Sequence, residues 1–185
     1  MIEPTPIKDV FIIQPRRFGD ERGFFSESWN RRALEQAGLD LPEFVQDNHS
    51  FSTSPNTIRA LHFQSPPHAQ GKLVRCGRGS LFDVAVDFRK GSPTYGQWFG
   101  TELSFENGKQ LWVPAGCLHG FQTLVPDTEI IYKCTAHYAP ESDQAIAWNS
   151  AGVEWKQFDT PPVLSDKDQV APPMADVDSP FDYAS

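Results

Sequence analysis

Long apolar runs are missing from this chain. Nowhere in its 185 residues is there a stretch near the roughly 18–20 apolar residues that cross a bilayer, which excludes a membrane-spanning helix. Cysteine is scarce. Cys76, Cys117 and Cys134 are an odd number without metal-site spacing, and each lies in an apolar, strand-like run. They read as reduced core thiols. Basic charge is in deficit: the net charge is −8 and the pI about 5.0, which argues against non-specific nucleic-acid binding. There is no G-x-G-x-x-G fingerprint for a dinucleotide. Helix signals are few. The N-terminal M-I-E-P-T-P-I-K-D has neither a basic start nor an apolar stretch, so a cytoplasmic location is expected.

What is present is strand and turn. The length suits one domain over 1–185 with a full core. Leu73–Cys76, a G-R-G turn and Leu81–Phe88 read as a hairpin. Its second arm alternates Phe82, Val84, Val86 and Phe88 with Leu81, Asp83, Ala85 and Asp87. Further strands are expected at Gly96–Glu102, Gln110–Val113, Phe121–Leu124, Glu129–Thr135 and Ala145–Trp148. Short strands at such regular spacing indicate a sandwich or barrel. One helix is expected over Ser28–Gly38, and a short one capped by Ser165 in S-D-K-D. The segment 171–185, rich in Pro and Asp, is either loosely held or, given Phe181 and Tyr183, draped over the body.

Several residues carry chemistry on either of two readings. His62, in R-A-L-H-F-Q, is a satisfied core histidine or a general base, a role that suits imidazoles because as a class they titrate near neutrality. Arg59 and Lys72 lie in apolar surroundings, where an unpaired cation is costly. Asp168 is an acid available to orient His62. Tyr132, in E-I-I-Y-K-C, is a core tyrosine or a proton donor facing a pocket; Tyr138 sits at a strand end, where an aromatic can stack on a flat ring. Asp83 and Asp87 share either an exterior face or the lumen of a barrel, and in the lumen Asp83 would pair with Lys72 across the hairpin. Arg22, Glu27, Gln46 and Asn48 belong to solvated loops or to specific polar recognition.

Two resemblances bear on these alternatives. Gly108, Pro114, Gly116 and His119 have the spacing of the second cupin motif, but His62-Phe63-Gln64 supplies one histidine where metal-binding cupins carry H-x-H, and Lys72 would repel a metal ion. The chain resembles a cupin whose pocket holds an anion instead of a metal. More specifically, D-E-R-G-F-F-S-E, F-V-Q-D-N-H-S-F-S, R-A-L-H-F-Q, Q-G-K-L-V-R, F-D-V-A-V-D-F-R, S-P-T-Y-G, L-W-V-P-A-G-C-L-H-G-F, Y-K-C-T and L-S-D-K-D occur in the order found in the dTDP-4-dehydrorhamnose 3,5-epimerases, over roughly residues 7 to 170.

That resemblance implies a mainly β, cupin-type jelly roll with a few short helices. It also implies a homodimer without metal or cofactor, acting on dTDP-4-dehydro-6-deoxyglucose. His62 would be the base, Asp168 its partner, Tyr132 the acid on the opposite face, and Lys72 the stabiliser of the enolate. Arg22, Glu27, Gln46, Asn48, Arg59, His119 and Lys167 would contact the nucleotide-sugar, and Tyr138 would stack on thymine. Asp143 stands where the family usually has glutamate, with a base or ribose contact expected of it. Ala60 replaces a usual glycine, and Ala147 a common arginine. The rival readings are an epimerase of a single centre, C3 or C5, a metal-dependent cupin using His62, Gln64 and His119, and a non-catalytic sugar-nucleotide-binding module.

Overall fold

The computed structural model describes residues 1–183. In chain order the strands are β1 (Ile2–Pro4), β2 (Phe11–Ile13), β3 (Phe18–Asp20), β4 (Gly23–Phe25), β5 (Gln46–Ser52), β6 (Ile58–Gln64), β7 (Lys72–Arg78), β8 (Ser80–Asp87), β9 (Arg89–Lys90), β10 (Trp98–Ser104), β11 (Gln110–Val113), β12 (Cys117–Thr123), β13 (Thr128–Cys134), β14 (Asp143–Ala145) and β15 (Phe181–Asp182). Helix α1 is Arg31–Gln36 and α2 is Asp166–Gln169. Two antiparallel sheets form the body, in orders β1-β2-β11-β7-β13-β5 and β10-β8-β12-β6-β14. The mainly β, cupin-like fold is therefore present.

Three apolar layers follow from the period-2 pattern. Between the sheets, Val74, Cys76, Leu111, Val113 and Ile130 meet Leu81, Ala85, Leu103, Cys117 and Phe121. Outside the five-stranded sheet, Phe82, Val84, Val86, Leu118, Ile58 and Phe63 are covered by Ile146, Trp155 and Phe181. Outside the other sheet, Leu73 and Trp112 pack under Leu39, Leu41 and, from α1, Leu34. All three cysteines are buried and unpaired.

The hairpin expected at 73–88 does not exist. β7 pairs with β11 and β13, while β8 pairs with β10 and β12 in the other sheet. Gly77 and Arg78 stay in β7, so Gly79 alone joins the two strands. It has φ +79°, and a Cβ there would come within 2.7 Å of Thr128 Oγ1. A one-residue corner cannot close a hairpin, which needs at least two, so the chain turns from one sheet into the other. The pairing of Asp83 with Lys72 across that hairpin falls with it.

The first helix is shorter than expected: Asn30, not Ser28, is its cap, accepting from the Ala33 amide at 3.1 Å. Ser165 caps α2 as expected. The strand expected at Ala145–Trp148 lies earlier, at Asp143–Ala145, and the one expected at Phe121–Leu124 starts at Cys117. The C-terminal segment drapes over the body. β15 pairs in parallel with β9, and Phe181 is buried 5.7 Å from the ring of Phe63. Burial of one such ring contributes roughly 1.5–3 kcal/mol. Arg89 adds to this anchorage by stacking on Tyr183 while binding Asp87 and Asp9.

Candidate active site

Lys72, His62, His119, Tyr132 and Asp83 place polar groups in the layer between the sheets. Four of these, with Arg59, Ser50, Phe121, Ser165 and Asp168, line a cavity of about 210 Å³. β6 and β12 bring His62 and His119 into register from the five-stranded sheet. β7 and β13 bring Lys72 and Tyr132 from the six-stranded one. The two pairs thus stand on opposite walls.

Strict alternation would put Arg59 and His62 on opposite faces of β6. A register shift between His119 and Phe121 absorbs one extra residue of β6. Ile58, Ala60, Leu61 and Phe63 all pack in the outer layer. With Ala60 and Leu61 turned outward in succession, Arg59 and His62 both face the cavity. Gly120 is required opposite them, since a Cβ there would lie 2.3 Å from that of Ala60.

His62 Nε2 lies 2.6 Å from Asp168 Oδ1. The Asp168 side chain is 2% exposed and that of His62 28%. Ser165 caps α2 by accepting from the Asp168 amide at 3.2 Å and donates its hydroxyl to Asp168 Oδ2 at 2.9 Å. Burial pushes the Asp168 carboxyl up, but the His62 bond and charge, Ser165 and the Lys167 charge outweigh it, so it stays below its ordinary value. Its stabilising contribution is therefore present above the unfolded value near 3.9 and disappears as pH falls through the depressed folded value. Asp168→Asn is expected to lose this contribution at neutral pH, so its urea midpoint declines less steeply than wild type below about pH 4. Parallel midpoint curves for the two proteins would refute it.

Lys72 meets the cavity with no hydrogen bond or ion pair among the described residues. Desolvation holds its ammonium below the ordinary value, and the carboxylates of Asp143 and Asp83 oppose it. Burial pushes the Tyr132 phenol up, although the Asn48 hydrogen bond and the Arg59 charge oppose it. The phenol thus stays protonated at neutral pH.

The other expected contacts form a polar rim. The Gln46 amide donates to Asn48 Oδ1 at 2.9 Å and accepts from the Tyr138 backbone at 2.9 Å. Tyr138, 59% exposed, reaches Asp143 Oδ2 at 3.3 Å, and Lys167 holds the same oxygen at 2.6 Å. This leads back to α2 and Asp168. Arg22 and Glu27 are not brought to the cavity. Arg22 pairs with Asp20 on the exposed β3–β4 hairpin, and Glu27 binds the Asn30 amide at 3.2 Å.

Gln64, the metal-ligand position of the rival cupin reading, is fully engaged. Its amide donates to the His68 and His137 carbonyls and accepts from the Ala139 amide, bracing the loop that carries Tyr138. Sequence reasoning missed Ser50, whose hydroxyl is buried without a partner among the described residues, and the second bond made by Ser165. The signal for Ser50 was its parity with Gln46 and Asn48 along β5. Asp83 lies inside the barrel, with its Oδ1 2.9 Å from His119 Nε2.

The model of the family described as dTDP-4-dehydrorhamnose 3,5-epimerase matches residues 4–176. A protein of that name from Sinorhizobium fredii is 52% identical over 183 residues, covering 96% of this chain and 91% of that one. Another from Salmonella typhimurium is 54% identical over 170 residues, covering 91% and 92%. The crystal structure of dTDP-6-deoxy-D-glucose-3,5-epimerase from Legionella pneumophila, in complex with dTDP-4-keto-L-rhamnose, superposes with a TM-score of 0.93 at 42% identity, covering 100% of this chain and 99% of that one. With its matched sequence spanning both walls of the cavity, the chain belongs to the dTDP-4-dehydrorhamnose 3,5-epimerase family.

Proposed function

We propose that this epimerase inverts C3 and C5 of dTDP-4-dehydro-6-deoxy-D-glucose, giving dTDP-4-dehydro-L-rhamnose. The 4-keto group acidifies the C–H bonds on both sides of it. His62 takes the proton, and the C–H electron pair moves into an enolate whose oxygen is stabilised by Lys72. A fixed charge placed where charge develops in the transition state often lowers the barrier more than any other device an enzyme uses. Tyr132 then delivers a proton to the carbon from the other face; its phenolate regains one from solvent, and the His62 imidazolium releases to solvent the proton it took. Each cycle exchanges one proton and changes no oxidation state. Asp168 holds the imidazole and stabilises the imidazolium. The observation that carries this reading is the placement of the His62–Asp168 pair and the Tyr132–Lys72 pair on opposite walls of one cavity.

Arg59, His119 and the rim of Gln46, Asn48, Asp143 and Lys167 contact the nucleotide-sugar, and the exposed ring of Tyr138 stacks on thymine. The enzyme works in the cytoplasm as a homodimer. Phe18, Phe24 and Phe25 on the β3–β4 hairpin are half or more exposed or close to it, and a second copy covering them would bury an otherwise costly apolar patch. Arg22 and Glu27 lie on and beside that hairpin, so their contacts depend on the dimer.

Incubating the protein with dTDP-4-dehydro-6-deoxyglucose in deuterated water tests the reading. Solvent deuterium is expected at both C3 and C5 of the product. Label at one carbon alone would assign the chain to the single-centre epimerases, and no label at either would leave a binding module.

A further inference from the structure

We propose that Asp83 is a positioning residue for this reaction: one buried carboxylate that fixes the orientation of His119 and supplies the countercharge for Lys72 from the opposite wall. On β8, Asp83 lies between Leu81 and Ala85 on the face that packs the dry interior, and it is fully buried. Its Oδ1 is 2.9 Å from His119 Nε2, which leaves Nδ1 as the His119 nitrogen without a partner among the described residues. Its Oδ2 is buried with no hydrogen-bond partner among them. Leaving such an oxygen unsatisfied destabilises the fold, so stability does not explain the carboxylate.

The charge has a use at Lys72. The groups acting on that ammonium include Cys134 on β13, Asp143 on β14, Asp83 on β8 and Lys167 on α2; its cavity also holds Arg59 and His62 on β6, His119 on β12, Tyr132 on β13, and Asp168, whose two oxygens are taken by His62 and Ser165. Cys134 is a buried thiol raised to about 11, hence neutral at physiological pH. Asp143 is bound to Lys167 at 2.6 Å, so its field at Lys72 is largely cancelled by that partner. Asp83 is left as the carboxylate whose second oxygen is uncommitted. Desolvation drives Lys72 toward the neutral amine, and a neutral amine cannot stabilise an enolate by charge.

The proposal rests on the epimerase reading, so wild-type turnover of the 4-ketosugar is measured first; a protein that fails there refutes that reading and not this one. In Asp83→Asn the shape and the acceptor for His119 remain while the charge is lost. The alkaline limb of its kcat profile is expected to move to lower pH by about one unit. At neutral pH kcat falls roughly tenfold or more, and KM changes less than about threefold. In a Lys72→Met background the same substitution should produce no further limb shift. Should the asparagine variant fold poorly, Asp83→Glu keeps the charge, and its limb is expected to stay at the wild-type position whatever its kcat. An unmoved limb in Asp83→Asn, a limb that moves equally in Asp83→Glu, or a full additional shift in the Lys72→Met background would each overturn the proposal.

Discussion

His62→Ala is expected to lower kcat about 10²–10⁴-fold, the range for removing a general base, while the protein stays folded. Two observations set the expectation. The imidazole is bonded to Asp168, and it opens into the cavity and makes no part of the apolar layers. Truncation therefore opens no void in the dry core. It does remove one hydrogen bond from a buried carboxylate, at a cost of about 1–3 kcal/mol. Ser165 still donates to Asp168 Oδ2, which limits the loss. For a chain of this size that corresponds to a fall in melting temperature of roughly 2–4 °C per kcal/mol. Steady-state turnover and thermal melting, measured on one preparation, separate the chemical from the structural effect. A variant keeping more than about a tenth of wild-type rate would show that another group removes the proton.

The second large effect belongs to Tyr132. Tyr132→Phe keeps the ring, so its packing against the inner layer persists. It removes the phenol that lines the cavity. Net inversion is expected to fall by about 10²-fold or more, because a proton delivered from the His62 wall restores the starting configuration. His62 and Lys72 are untouched, so enolate formation continues. The two substitutions therefore differ in kind: His62→Ala stops both exchange and inversion, whereas Tyr132→Phe uncouples them.

Much of this site was legible because its parts sit in short runs with distinctive neighbours. The S-D-K-D capping pattern placed Asp168 on a short helix, and the structure puts that helix against β6. The dyad itself spans 106 residues, a separation that no local rule closes: the sequence offered Asp168 as an available acid, and the resemblance made it the partner of His62. Arg59 shows a different limit. Period-2 reading assigns it to the face opposite His62, and the bulge that reverses this depends on how β12 meets β6. The pairing of β7 and β8 failed for a related reason. Alternation identifies which side of a strand is apolar, but both the hairpin and the corner bury the same side. Asp83 was ambiguous for the same cause, since an aspartate among apolar neighbours reads alike on an exterior face and in a lumen. Its burial against His119 is decided by tertiary packing. β5 went unrecognised because its inward face is polar, with Gln46, Asn48, Ser50 and Ser52 in place of the apolar residues that mark a strand.

In the proposed mechanism base and acid act from opposite walls of one cavity. This is tested most directly by following Tyr132→Phe with the 4-ketosugar in deuterated water, reading deuterium content and configuration at C3 and C5 by NMR. Action from two walls predicts solvent deuterium entering recovered, uninverted sugar while little inverted product accumulates. Loss of exchange together with inversion, or inversion of both centres at near wild-type rate, would contradict it.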